Sequence, residues 1–302
     1  MSTQGIASEQ RVFAVAGGVG GGEFPSASLG NYVVKALLAK GNEVRVLARS
    51  HSLESPAAKD LVETGARVIA VDYGSQSDLD EALKGVHVVV SALNPSAVQA
   101  QHALADASKR CGVELLLPAE YGPNSLEIDE QVDFPVWGKQ AYRQYLETIG
   151  LPYYAVFCGL FAEWAEGFIL GAEPEKNEAR IVGKGDKKIS FTALDDVAEF
   201  IAVTITTLPI SKLSNVCVGI SGSDRTWNEI AEFLQKKRPE LKVIHESVAD
   251  TEAEFAETKN TLLWIKLHMA KGLGTGEGLQ GLTAKSRELY PEWKPRSVEE
   301  FL

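Results

Sequence analysis

The sequence predicts an α/β protein: a doubly wound parallel sheet followed by a smaller C-terminal lobe. Three observations predict it. Short apolar runs alternate with helical stretches from Arg11 to Phe157. The first run breaks into glycines just before a helix, and the alternation stops after Cys158. Such alternation implies parallel strands joined by crossover helices on both faces. Right-handed crossovers bring every strand's C-terminal end to one rim, where these sheets bind ligands.

The opening stretch, Arg11 to Arg49, reads as strand, turn, helix, strand. Val12 to Val15 is apolar and halts at Gly17, Gly18, Gly20, Gly21 and Gly22. Leu29, Val33, Val34, Leu37 and Leu38 then recur at helical spacing, Gly41-Asn42 ends the helix, and Val44 to Leu47 begins a second strand. Glycines let main chain approach a diphosphate, and a helix N-terminus offers free N–H groups with partial positive charge. This is the first unit of a dinucleotide-binding Rossmann fold. Gly17, Gly18, Val19 and Gly20 form the candidate phosphate turn. The glycine leading into the helix is Gly30, so GGEFPSA reads as an insertion in that turn.

Further along, helices are expected at Ala57 to Val62, Asp78 to Leu83, Ala97 to Arg110 and Phe134 to Ile149. Strands are expected at Ala66 to Val71, Val86 to Val90, Val113 to Leu117 and Tyr153 to Phe157. Beyond Cys158 come a loop with a short helix, two strand-like runs around GKGDKK, and a helix over Leu194 to Leu208. Val216 to Ile220 reads as a strand, Trp227 to Lys236 as a helix, and Glu252 to Ala270 as one long helix. The expected domains are a dinucleotide-binding domain over 9–158 and a substrate lobe over 159–302, with 188–220 returning to the sheet.

The 302 residues suffice for a sizeable core. Against 30 Lys and Arg stand 41 Asp and Glu, a net charge of −11, which disfavours nucleic acid and anionic membrane as partners. No apolar run is long enough to span a bilayer. Three scattered cysteines without a C-x-x-C pair suit a reducing compartment, and the polar N-terminus lacks a signal-peptide core. The cytosol is the expected location. The five histidines show no metal-ligand spacing.

Arg49 ends the second strand, where this fold meets the adenosine ribose. A planar guanidinium there suits a 2′-phosphate, whereas an acidic residue would suit a free 2′-hydroxyl, so Arg49 argues for NADP(H) over NAD(H). Asp72, with Tyr73, follows the third strand and flanks the expected adenine position. Ser91, Ala92 and Leu93 follow the fourth and line the middle of the coenzyme. Lys139 lies on the helix before the sixth strand. A Tyr-x-x-x-Lys pair would require tyrosine where Pro135 stands, and Tyr142 comes after the lysine. The residue pattern alone leaves Lys139 between a catalytic group and a solvated surface charge. Tyr121, Trp137, Phe161 and Trp164 suggest an aromatic or otherwise apolar small substrate.

LLPAEYG (Leu116 to Gly122), Lys139, GLPYYAVFCGLF and the terminal WKPRSVEEFL together resemble the NmrA-like and isoflavone reductase-like group of atypical short-chain reductases, which includes phenylcoumaran benzylic ether and pinoresinol–lariciresinol reductases. The altered glycine turn departs from that group's pattern. The resemblance implies bound NADP(H), with Lys139 matching the active-site lysine and Phe161 to Trp164 flanking the nicotinamide. It implies hydride transfer to a C=C, C=O or benzylic ether of a small aromatic or secondary-metabolite substrate, by a monomer or homodimer. Two alternatives share the fold: a non-catalytic NADP-sensing regulator, and a non-redox isomerase or cyclase.

Overall fold

The computed structural model describes residues 11–20, 29–94, 97–127, 138–171, 174–273 and 276–302. Two compact units interleave along the chain. The first comprises Met1–Ala119, Phe134–Ala155 and Ala198–Cys217, and the second Glu120–Asp133, Val156–Val197 and Val218–Leu302.

The first unit is built on five parallel strands: β1 (Val12–Ala16), β2 (Glu43–Ala48), β3 (Arg67–Ala70), β4 (Val88–Ser91) and β5 (Leu115–Leu117), in spatial order β3-β2-β1-β4-β5. The chain runs outward from β1 to β3, returns across the sheet to β4 and continues the other way. Order therefore reverses between β1 and β4, the switch point at which such sheets open a crevice. The central strands are saturated with buried apolar residues: Phe13 to Ala16 and Val88 to Val90 are all at 0% exposure. Burial on both faces accounts for their unbroken apolar composition. The edge strand β3 is only half-covered.

The connecting helices are α1 (Leu29–Ala39), α2 (Pro56–Glu63), α3 (Gln76–Leu83) and α4 (Val98–Arg110), followed by α5 (Gly138–Thr148). Ser55 and Ser75 cap α2 and α3 by accepting the N–H groups of Ala58 and Asp78, and Pro56 opens α2 where no N–H is needed. The sixth strand, β6 (Tyr154–Phe157), begins beside β5 through a parallel bridge between Leu116 and Tyr153. Arg11 closes this unit at the base: its guanidinium donates to the carbonyls of Ile205 (2.6 Å) and Leu208 (3.0 Å) at the end of α7 (Leu194–Thr207). A cation at a helix C-terminus is favourable.

The second unit contains β7 (Leu160–Phe161), α6 (Ala165–Leu170), β8 (Glu178–Val182) and β9 (Lys188–Thr192). After β10 (Val216–Gly219), which pairs with β6, come β11 (Ser223–Thr226), α8 (Trp227–Lys237) and β12 (Lys242–Glu246). The runs flanking GKGDKK do not pair with each other: β8 pairs with β12, and β9 lies between β7 and β11. The expected long helix over 252–270 is two helices, α9 (Val248–Thr258) and α10 (Thr261–Lys271). Lys259 adopts φ +53 and Asn260 caps α10 by accepting the Leu262 N–H at 2.8 Å, so the chain restarts there. The last helix, α11 (Glu277–Leu289), precedes a terminal segment held by Asp196. That buried carboxylate accepts the Arg296 main-chain N–H at 2.7 Å and its Nε–H at 3.2 Å, while the Trp293 indole donates to the Asp196 carbonyl at 3.2 Å. The core of the unit gathers Phe168, Phe191, Trp227, Ile230 and Leu234.

Candidate active site: a dinucleotide cradle on the first unit

Register places Ala16, Ala48, Ala70, Ser91 and Leu117 at the C-terminal ends of adjacent strands. The residues that follow them therefore lie on one rim. Gly17 is the tightest point. It has φ +89, and a Cβ built there would stand 2.3 Å from the Ala92 carbonyl oxygen. The Ala92 N–H donates to the Ala16 carbonyl at 2.8 Å, so the turns after β1 and β4 meet at the switch point. Gly30, in the first turn of α1, packs against the same turn: its added Cβ would lie 2.6 Å from the Gly17 oxygen and 2.9 Å from the Gly18 Cα. Gly18 sits over Val46, where an added Cβ would come within 3.0 Å of that side chain. Only glycines allow this approach of helix to turn. Val19 is buried and Gly20 also has positive φ, while GGEFPSA lies outside the described residues.

The cradle fits a dinucleotide on two counts. The chain packs closely at Gly17, Gly18 and Gly30, the tight turn and near helix–strand approach that a dinucleotide-binding fold uses. At the end of β4, the Ser91 hydroxyl is fully buried with no hydrogen-bond partner among the described residues. A buried orphan hydroxyl costs free energy until something meets it. Leu93 follows in the same half-buried turn.

Arg49 follows β2 and is exposed. Its guanidinium makes no hydrogen bond or ion pair with any described residue, and it lies 5.9 Å from the Tyr73 ring centroid. The Tyr73 hydroxyl donates to the Leu47 carbonyl at 3.3 Å. Burial pushes that phenol above its usual range, and the Arg49 cation opposes the shift. Asp72 is exposed, and its Oδ1 accepts the Gly74 N–H at 2.8 Å, so part of its capacity is spent on its own turn.

Lys139 is half-buried in the first turn of α5. Because α5 feeds β6 in parallel with β5, the helix begins at the rim that carries Gly17, Arg49 and Ala92. The helix is fixed against α4 by tyrosines. The Tyr142 hydroxyl donates to the Gln101 carbonyl at 2.8 Å and its ring meets His102 edge-on at 5.2 Å. The Tyr145 hydroxyl donates to Asp106. Tyr142 is thus a packing residue, and burial pushes its phenol far above the usual range. Neither His102 nor Asp106 stood out in the sequence, because the pairing runs between helices that are distant along the chain.

On the second unit, the Glu120–Ser125 segment and the stretch leading to Phe161 are tied together. The N–H groups of Cys158 and Gly159 both donate to the Gly122 carbonyl at 3.0 Å. Glu120 is buried and accepts the Ser125 hydroxyl at 2.8 Å. Phe161 is buried in β7, and Trp164 meets it edge-on at 4.9 Å. The Trp164 indole N–H is buried without a hydrogen-bond partner among the described residues. Tyr121 is half-buried, and Trp137 lies outside the described residues.

Solved structures share this architecture. The leucoanthocyanidin reductase–NADPH binary complex of Vitis vinifera superposes with TM-score 0.80 at 24% identity, covering 96% of this chain and 97% of that one. The structure described as AtPrR2 with NADP+ and (+)pinoresinol gives TM-score 0.80 at 25% identity, over 97% and 98% of the two chains. Among curated proteins, the isoflavone reductase homolog IRL of Zea mays is 27% identical, covering 98% of this chain and 99% of its own. The bifunctional pinoresinol-lariciresinol reductase of Forsythia intermedia is 28% identical over 91% and 94%. Residues 25–302 match the NmrA-like family. With its glycine cradle at the β1/β4 switch point and that match over most of its length, the chain belongs to the NmrA-like family.

Proposed function

We propose that the protein is an NADPH-dependent reductase of a small aromatic, secondary-metabolite-like substrate, with Lys139 at its catalytic centre. The observation that carries this reading is the tight glycine turn after β1 with the buried Ser91 hydroxyl, paired opposite Ala16, lacking a hydrogen-bond partner among the described residues, and Arg49 exposed after β2. It is supported by relatives named as isoflavone and pinoresinol-lariciresinol reductases and by a like-folded structure holding NADP+ and (+)pinoresinol.

In this reading the N–H groups of the Gly17 to Gly20 turn hold the diphosphate, and the Arg49 fork holds the 2′-phosphate. The Ser91 hydroxyl and the Ala92–Leu93 main chain line the middle of the coenzyme, with Asp72 at the adenine end. When bound, NADPH would supply a hydride from C4 of its nicotinamide. The Lys139 ammonium then positions the nicotinamide ribose or delivers a proton to the reduced atom. Tyr121, Trp137, Phe161 and Trp164 supply apolar surface to the substrate, and Phe161 and Trp164 also flank the nicotinamide.

The test is NADPH oxidation against a panel of aromatic enones, ketones and benzylic ethers, (+)-pinoresinol included. Lys139→Ala is expected to lower kcat by about 10²–10⁴-fold, the range of a lost general acid, with much less effect on NADPH binding. NADPH binding without turnover of any panel member would favour a sensor, and unchanged kcat in Lys139→Ala would remove the lysine from the chemistry.

A further inference from the structure

The second unit contains a cavity of about 620 Å³ that shares no residue with the proposed coenzyme and substrate set. It is lined by Ser190, Ser221, Asp224, Arg287, Tyr290 and Trp293 among others. Its floor is preformed. Asp224 in β11 stands opposite Ser190 in β9, and its Oδ1 accepts both the Ser190 hydroxyl (2.7 Å) and the Ser221 hydroxyl (2.8 Å). Ser190 in turn accepts the Gly276 N–H at 3.1 Å. Gly222 and Gly276 bring their walls against main chain: an added Cβ would come within 2.4 Å of the Arg296 carbonyl in one case and of the Lys188 carbonyl in the other.

Two groups in this cavity are left with capacity. Asp224 Oδ2 accepts nothing from any described residue, and the exposed Arg287 guanidinium has no ion pair or hydrogen bond with one. An open carboxylate oxygen calls for a cationic or N–H donor, and an open guanidinium calls for a carboxylate. A purely anionic ligand would face Asp224, and a purely cationic one would face Arg287. Opposite charges in one cavity select a molecule carrying both. The aromatic and proline walls, Tyr290, Trp293, Pro291 and Pro295, add apolar surface. The volume lies in the ordinary range for small-molecule sites.

We infer that this cavity binds a small zwitterion of the α-amino acid class, carboxylate to Arg287, ammonium to Asp224, side chain against Tyr290 and Trp293. The test is isothermal calorimetry of the full-length protein with the standard L-amino acids one by one at millimolar concentration. Propionate and propylamine serve as single-charge controls. One or more amino acids with apolar side chains should bind at one per chain, and neither control should bind. Arg287→Met and Asp224→Asn should each weaken binding by about tenfold or more, the effect of losing one charge-assisted pair. Circular dichroism and the urea midpoint check that each variant is folded. Arg287 is exposed, so its variant keeps the test decisive if the Asp224 change disturbs β11. No heat with any amino acid, equal binding of a single-charge control, or full affinity in Arg287→Met would overturn the assignment.

Discussion

One methyl group at Gly30 tests the cradle directly. In Gly30→Ala the new carbon would sit 2.6 Å from the Gly17 oxygen and 2.9 Å from the Gly17 carbonyl carbon and the Gly18 Cα. All three neighbours are main chain and cannot swing aside as a side-chain tip would. Ordinary contact begins at 3.4 Å, so 3.4 − 2.6 leaves 0.8 Å to be gained by moving helix α1 off the turn. Overpacking of that kind costs about 1–3 kcal/mol. Replacing a helical glycine by alanine returns up to about 1 kcal/mol, less in a first turn. The net expectation is a loss of about 1–2 kcal/mol in urea unfolding, with NADPH affinity at least about tenfold lower if the displaced turn holds the diphosphate as proposed. Gly281 in α11 is the internal control, since nothing lies within 4 Å of its added Cβ. Gly281→Ala should stabilise by about 0.5–1 kcal/mol and leave NADPH binding alone. If Gly30→Ala matches the parent in both unfolding and NADPH titration, the close approach of helix to turn is not what shapes this site.

Arg49→Ala should weaken NADPH by about tenfold or more while changing NADH little, as expected for one lost charge-assisted contact to a 2′-phosphate; equal losses for both coenzymes would remove that assignment. Asp196→Ala should cost at least about 2 kcal/mol in urea unfolding, because a buried carboxylate meeting the Arg296 main chain and guanidinium is lost; a change below about 0.5 kcal/mol would count against the C-terminal clasp. His268 stacks on Trp264 with ring centroids 3.7 Å apart, and its Nδ1–H donates to the Trp264 carbonyl at 2.9 Å. Burial, helped by the Lys271 cation and opposed by that carbonyl, holds the imidazole below its usual range. A depressed folded value means its contribution is complete above the unfolded value of about 6.5 and fades as pH falls through the folded one. Urea midpoints should therefore drop between about pH 7 and 5, and His268→Gln should flatten part of that slope; an identical slope in the variant would exclude His268 as the source.

The first strand, turn and helix were legible because each left a local mark: an unbroken apolar run, a break into glycine, then helical spacing. The position of Arg49 was legible for the same reason, since it directly follows β2. The restart at Lys259–Asn260 was not, because positive φ at lysine carries no glycine or proline to announce it. The only cue was Asn260, an ordinary cap residue. Strand β11 reads SDRT, with no apolar alternation, and is a strand because β9 pairs with it. The Ser190–Asp224 cluster was invisible for a related reason: it exists only through that register, between segments that show no chemistry alone. Trp137 and GGEFPSA lie outside the described residues.

The interleaving of the chain bears on how this protein can be dissected. Phe200, Ile201 and Ile205, all at 0% exposure, belong to the unit that begins with β1, yet lie far downstream of its sheet in the gene. Arg11 finds its carbonyl partners in that same late segment. A polypeptide terminated soon after β6 would be synthesised with the sheet intact but without this cover. It should aggregate or stay bound to chaperones, and co-expressing the missing helix in trans should restore it to the soluble fraction.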